Sequence, residues 1–95
     1  MANPVFTRGD WVDIGHGNKI RRVFRDGELD SLDWDHGCTN PAEDFVPLRR
    51  GAATGPFSAA AWEIHNEDPL TIAPSLLCTA CQRHGFIRDG VWVPA

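Results

Sequence analysis

Residues 23–34 read VFRDGELDSLDW, two strand-forming segments with a turn dipeptide between them. Asp26-Gly27 lies between two segments of strand-forming residues, and this dipeptide suits a two-residue type I′ hairpin turn because both of its residues take positive φ. On the second arm, alternation along a strand places Leu32 and Trp34 on one face and Ser31 on the other. The stretch therefore predicts a β-hairpin with one buried face and one solvated face.

The same turn chemistry and strand composition recur on both sides of this hairpin. Asp89-Gly90 separates two short apolar segments, and the stretches VFTRGDWVDI, KIRRVF, WEIH and LTIAPSLL are rich in β-branched and aromatic residues bounded by turn signals. Pro74 indicates a sheet edge or a break. Residues 36–62 are rich in Gly, Pro, Asn and Ala and are expected to be mostly connection, although Ser58 before AAAWE can cap one or two helical turns. We expect a mostly β domain of short antiparallel hairpins, with a small α+β fold as the alternative.

Length and charge limit the kind of protein this chain can be. A chain of 95 residues is expected to form one domain, residues 1–95, with a thin core in which four tryptophans and five phenylalanines supply much of the volume. The net charge of −4 gives no general attraction to nucleic acid or to an anionic membrane. No leader or membrane-length apolar run is visible, so we expect a cytoplasmic protein, with its oligomeric state left open.

The three cysteines and two of the four histidines gather in two places. Cys78-Thr-Ala-Cys81 has the spacing that lets a tight turn bring two thiolates onto one zinc ion, and His84 follows at the same interval. Upstream, His36 and Cys38 lie close together just after a predicted strand. We expect a structural Zn²⁺ held by Cys38, Cys78, Cys81 and His84, with His36 as the reserve ligand that replaces His84 or Cys78.

Three other interpretations of the cysteines agree less well with the sequence. A redox pair needs its CxxC at the start of a helix, and Gly85 and the Asp89-Gly90 turn break any helix soon after Cys81. Unmetallated thiols fit poorly with the clustering of cysteines and histidines. A catalytic zinc keeps one coordination position open for water, and four protein ligands leave no such position. A structural zinc site that ties the upstream loop to the CxxC hairpin is the expected outcome.

The second half of the chain resembles the domain of unknown function 6527 family of small bacterial and phage proteins. The resemblance rests on the segments GPFSAAAWEI, LTIAPSLL and CQRHGFIRDGVWV, and it covers roughly the region from Trp34 to Trp92. It implies that Cys38, Cys81 and His84 match positions that look like the family's metal ligands. The chain departs from the family in having only His36-x-Cys38 upstream and in having a thiol at Cys78, so the fourth ligand stays open.

These observations give two expectations for function. The first is a non-catalytic, zinc-stabilised protein of phage or prophage type that acts by binding a protein of the bacterial host. The second is a small zinc-dependent hydrolase, or an accessory enzyme of a ubiquitin-like conjugation system, with an open metal position; the resemblance implies this setting because some relatives occur beside such components. Four protein ligands on the metal would favour the first expectation, and three ligands with one open position would favour the second.

Overall fold

The computed structural model describes residues 3–38, 44–51 and 60–95. Within these ranges the chain is all-β, with ten strands and no helix. The strands are β1 Phe6–Arg8, β2 Val12–Gly15, β3 Asn18–Arg25, β4 Glu28–Asp35, β5 Phe45–Arg49, β6 Trp62–Glu67, β7 Leu70–Ala73, β8 Leu76–Leu77, β9 His84–Arg88 and β10 Val91–Pro94.

The strands form one large sheet and one small sheet. The large sheet has the order β1-β3-β4-β5-β6-β7, with β2 also paired to β3, and its neighbours are antiparallel except for the parallel pair β5-β6. The small sheet has the order β10-β9-β8. It packs against the large sheet through β9 on β7 and β10 on β2. The N–H of Gly90, in the β9–β10 turn, donates to the carbonyl of Leu70 at 2.8 Å and links the two sheets.

Both predicted hairpins are confirmed. Asp26 and Gly27 have φ values of 50° and 83°, and Asp89 and Gly90 have φ values of 51° and 77°. These positive values are those that a two-residue type I′ turn requires. The break expected at Pro74 is also confirmed, since it lies between β7 and β8.

The central connection departs from the prediction. Residues 45–49 were expected to be part of a long connecting region, but they form β5 inside the large sheet, between β4 and β6. The helical turns expected after Ser58 begin outside the described residues, and Trp62, which they would have included, starts β6. In the part of the chain that the structure describes, the small α+β alternative is therefore not adopted.

The main core lies between the two sheets. β4 contributes Leu32 and Trp34, which are 0% and 2% exposed, so the predicted buried face of the first hairpin is confirmed. Ile20 of β3 lies opposite Trp34, and Ile87 and Trp92 reach the same core from the small sheet. The two hairpins predicted from their turns therefore meet across one apolar interior.

Ser31 is buried, although the sequence predicted that it would face solvent. It is 1% exposed and lies opposite Val23 of β3, which is 5% exposed, and opposite Pro47 of β5. A register shift in the β3–β4 pairing leaves Asp30 without a partner and interrupts the simple alternation of the strand. Ser31 and Val23 are therefore buried on the face that the sequence predicted to be solvated.

Gly85 of β9 lies directly against the indole ring of Trp92. A Cβ atom at this residue would lie 2.4 Å from Cε2 and Cζ2 of Trp92, which packs across it. We expect Gly85→Ala to lower the free energy of unfolding by about 3 kcal/mol, because either the indole or the strand must move. Chemical denaturation measures the change.

Gly9→Ala is the matched control for this substitution. A Cβ at Gly9 would have its nearest contact at 3.7 Å, an ordinary distance, with the carbonyl oxygen of Arg22. We expect its free energy of unfolding to stay within about 0.5 kcal/mol of the wild-type value. Equal effects of the two substitutions would contradict the packing argument at Gly85.

Candidate metal centre

Four side chains from the two predicted clusters converge at one point. One ligand atom each from His36, Cys38, Cys78 and Cys81 lies within 4.8 Å of every other. The Sγ atoms of Cys38 and Cys78 are 3.7 Å apart. These distances are short enough for one metal ion to contact all four side chains.

The upstream half of this group follows the end of β4. Asp35 is the last residue of the strand, and its Oδ1 accepts a hydrogen bond from the N–H of Gly37 at 3.2 Å. This bond shapes the bend that carries the chain from His36 to Cys38. The two side chains reach the same point.

The downstream half is a tight turn after β8. The N–H of Gln82 donates to the carbonyl of Cys78 at 2.7 Å, and the N–H of Cys78 donates to the carbonyl of Arg83 at 2.9 Å. Gln82 has a φ of 65°, which reverses the chain toward β9. The turn brings Cys78 and Cys81 together, as the CxxC spacing predicted, with Cys78 buried and Cys81 exposed.

His36 is fixed between an aromatic ring and a carboxylate. Its ring stacks on Trp34 with the centroids 3.9 Å apart and the planes at 23°, and the residue is only 5% exposed. Its Nδ1 lies 3.8 Å from Oδ1 of Asp44, just before β5. Either ring nitrogen of a neutral histidine can bind a metal while the other carries the proton.

The environment of Cys78 favours its thiolate. Burial opposes ionisation of this thiol, but hydrogen bonds from the backbone and thiol of Cys81, from the backbone of Ala80 and from the thiol of Cys38 outweigh it. The pKa of Cys78 therefore lies below its usual value. Since the thiolate is the form that binds a metal, the most buried sulfur of the group is prepared for coordination.

His84, predicted as the fourth ligand, lies outside the group. It is exposed, and its Nε2 is 2.8 Å from Oγ of Ser75. His84 starts β9 opposite the exposed Leu77 of β8, and paired residues share a face of the sheet. Cys78 follows Leu77 and turns inward. The reserve residue His36 occupies the place in the cluster that the sequence analysis gave to His84.

The centre opens to solvent on one side. A cavity of about 380 Å³ is lined by His36, Gly37, Cys38, Cys81, Gln82 and Arg83. Nη1 of Arg83 donates to the carbonyl of His16 at 2.6 Å, which holds the guanidinium beside the centre. Its positive charge can balance thiolates in the group.

Three neighbours of the centre were not predicted from the sequence: Trp34 as a stacking partner, Asp44 and Arg83. Trp34 was assigned to the core, but nothing in the sequence indicates that its ring extends to His36. Asp44 is one of thirteen acidic residues, and no local pattern separates it from the others. All three contacts depend on tertiary packing.

The fold and the centre define the class of this molecule as a small all-β domain with a His/Cys₃ group able to hold a metal ion. Comparison of the chain with family models, with curated proteins and with solved structures finds no match. Across the described residues, we find no helical segment with the length and hydropathy of a membrane span.

Proposed function

We propose that the protein is a zinc-stabilised, non-catalytic domain whose metal ion joins its two sheets. The observation that carries this proposal is the convergence of His36, Cys38, Cys78 and Cys81 within 4.8 Å. Thiolate and imidazole ligands in fourfold sets are typical of structural zinc, and Zn–S bonds of about 2.3 Å in a tetrahedron place sulfurs about 3.8 Å apart. The 3.7 Å between the sulfurs of Cys38 and Cys78 agrees with that edge length.

The number of ligands supports a structural role over a catalytic one. A hydrolytic zinc ion binds three protein side chains and a water molecule, whereas here four protein donors surround one point. Zinc with three thiolates and a neutral imidazole carries one net negative charge, which weakens its ability to activate water. The alternative hydrolase would require one of the four donors to leave the metal.

With no open position for chemistry, we infer that the protein acts by binding another protein. The resemblance to the domain of unknown function 6527 family supports a bacterial or phage setting, with a host protein in the cytoplasm as the partner. The outer face of the large sheet offers a mixed surface for such contacts. There, the Arg21 guanidinium lies 4.5 Å from the ring centroid of the exposed Trp11 and bonds Asp33 at 2.7 Å.

The decisive test compares His36→Ala with His84→Ala. Loss of a residue that only hydrogen-bonds a metal ligand weakens metal binding by about 10–100-fold. We expect His36→Ala to weaken zinc binding by more than this, because it removes a ligand. His84→Ala should keep one zinc ion per chain with unchanged affinity, because His84 lies outside the group. Elemental analysis gives the stoichiometry, and competition with a chromophoric chelator gives the affinity.

Cobalt substitution adds a readout of the ligand set itself. The wild-type protein and His84→Ala should both give the intense visible bands of tetrahedral cobalt with thiolate ligands, and Cys78→Ala should lose part of the sulfur-to-metal charge-transfer band. Loss of zinc in His84→Ala with retention in His36→Ala would overturn the ligand assignment. A five-coordinate cobalt spectrum in the wild-type protein would favour the hydrolase.

A further inference from the structure

The amino-terminal edge of the large sheet carries an unusual concentration of exposed apolar side chains. Val5, Phe6, Trp11 and Val12 are 62%, 49%, 43% and 44% exposed. They account for four of the seven large apolar side chains found exposed in the described ranges. Edge strands with exposed apolar residues are templates for pairing with another strand.

The backbone of β1 turns hydrogen-bonding groups outward at this edge. The N–H of Gly9 donates to the carbonyl of Arg22 in β3, and the carbonyl of Val5 accepts from the N–H of Asp26 in the turn that follows β3. The odd-numbered residues therefore direct their hydrogen-bonding groups toward β3. Alternate residues of an antiparallel strand direct these groups to opposite sides. Phe6 and Arg8 therefore direct theirs away from β3, and β1 ends the strand order of the large sheet.

The charges of the edge lie on either side of Gly9. The side chain of Arg8 is 56% exposed, and its Nε is 3.8 Å from a carboxylate oxygen of Asp33 that Arg21 already binds at 2.7 Å. Asp10 is exposed, and it forms no ion pair with any residue in the described part of the chain. Arg8 is thus weakly held, and Asp10 has no cation beside it.

From this arrangement we infer that the edge formed by residues 5–13 pairs antiparallel with the same edge of a second copy, about a two-fold axis at Gly9. When two copies of VFTRGDWVD run antiparallel with their Gly9 residues opposite each other, Arg8 of each copy lies opposite Asp10 of the other. Opposite charges in directly facing positions stabilise a strand pair, and like charges destabilise it. A two-fold axis makes both ion pairs at once, as in isologous dimers.

Apolar residues flank the paired charges on both sides. Val5 and Phe6 at one end of the edge run beside Trp11 and Val12 at the other end of the second copy. The chain between β1 and β2 is irregular, because the three residues 9–11 lie opposite only two residues of β3, 21 and 22. This bulge-like irregularity limits regular pairing to the residues near Gly9. The buried area is therefore below ~1,200 Å², and the dimer dissociates on dilution.

Sedimentation velocity of the zinc-loaded full chain, from micromolar to millimolar concentration, measures the equilibrium. Arg8→Asp and Asp10→Arg each place like charges opposite each other twice, so each should raise the dissociation constant about tenfold. The double variant restores opposite charges with their positions exchanged. Its dissociation constant should return to within about threefold of the wild-type value.

Arg25→Asp is the matched control, because it makes the same charge change on the exposed end of β3, away from the facing row. It should leave the dissociation constant within about threefold of the wild-type value. Zinc stoichiometry and circular dichroism report folding of every variant separately from pairing. A wild-type chain that stays monomeric at millimolar concentration, or a double variant that is not restored, would overturn the inference.

Discussion

Removal of zinc should unfold the domain. The metal group joins the end of β4 in the large sheet to the turn between β8 and β9 in the small sheet. Structural zinc contributes on the order of 10 kcal/mol of apparent binding free energy, and a small domain has only about 5–15 kcal/mol of total stability. We therefore expect the chelated chain to lose its cooperative melt at temperatures where the zinc-loaded chain is folded.

Thermal circular dichroism with a strong chelator measures this effect, and the same chelator saturated with zinc is the matched control. The free chelator should abolish the transition or lower the melting temperature sharply, and the saturated chelator should leave it in place. Added zinc should restore the fold, because zinc binds the native state in preference to the unfolded chain. A melt that free chelator does not move, in a protein that elemental analysis finds metal-free, would contradict the proposed role of zinc.

The parts of the fold that the sequence predicted correctly are local. At both hairpins, one Asp-Gly dipeptide determines the reversal, because its two residues adopt positive φ with little dependence on the rest of the chain. The burial of Leu32 and Trp34 follows from alternation along one strand. Such features need no knowledge of distant residues.

The parts that the sequence did not predict depend on distant contacts. β5 contains Pro47 and follows residues rich in turn formers, so its local composition is typical of a loop. It becomes a strand by pairing with β4 on one side and, in parallel, with β6 on the other. Ser31 is buried between Val23 of β3 and Pro47 of β5, which are residues of two other strands. Neither outcome has a local signal.

The metal centre also combines a feature that the sequence predicted with one that depends on distant contacts. The sequence predicted the meeting of Cys38 with the CxxC pair, since clustered soft donors favour a common ion. Spacing also made His84 the nearest histidine to Cys81, but nearness along the chain does not determine direction. Pairing with Leu77 places His84 on the exposed face of β9, and stacking on Trp34 brings His36 to the group.

Trp34→Ala should be the most damaging single change in the core. Trp34 is 2% exposed and stacks on Trp92 with the centroids 5.5 Å apart and on His36 at 3.9 Å. Its Nε1 donates to Oδ1 of the fully buried Asn18 at 2.9 Å. Truncation leaves a large cavity and removes the donor to that carbonyl. We expect the free energy of unfolding of the zinc-loaded chain to fall by about 4–5 kcal/mol.

Two variants separate the contributions, measured by chemical denaturation at micromolar concentration. Trp34→Phe keeps a ring but not the N–H, so it should lose less stability than Trp34→Ala and should weaken zinc binding less, since a ring still supports His36. Trp11→Ala removes an exposed ring whose main contact is with the Arg21 guanidinium, and should cost at most about 1 kcal/mol. Because Trp34 supports both Trp92 and His36, Trp34→Ala should lower stability and zinc affinity together. A loss of stability with zinc affinity unchanged would show that the stack does not position the metal ligand.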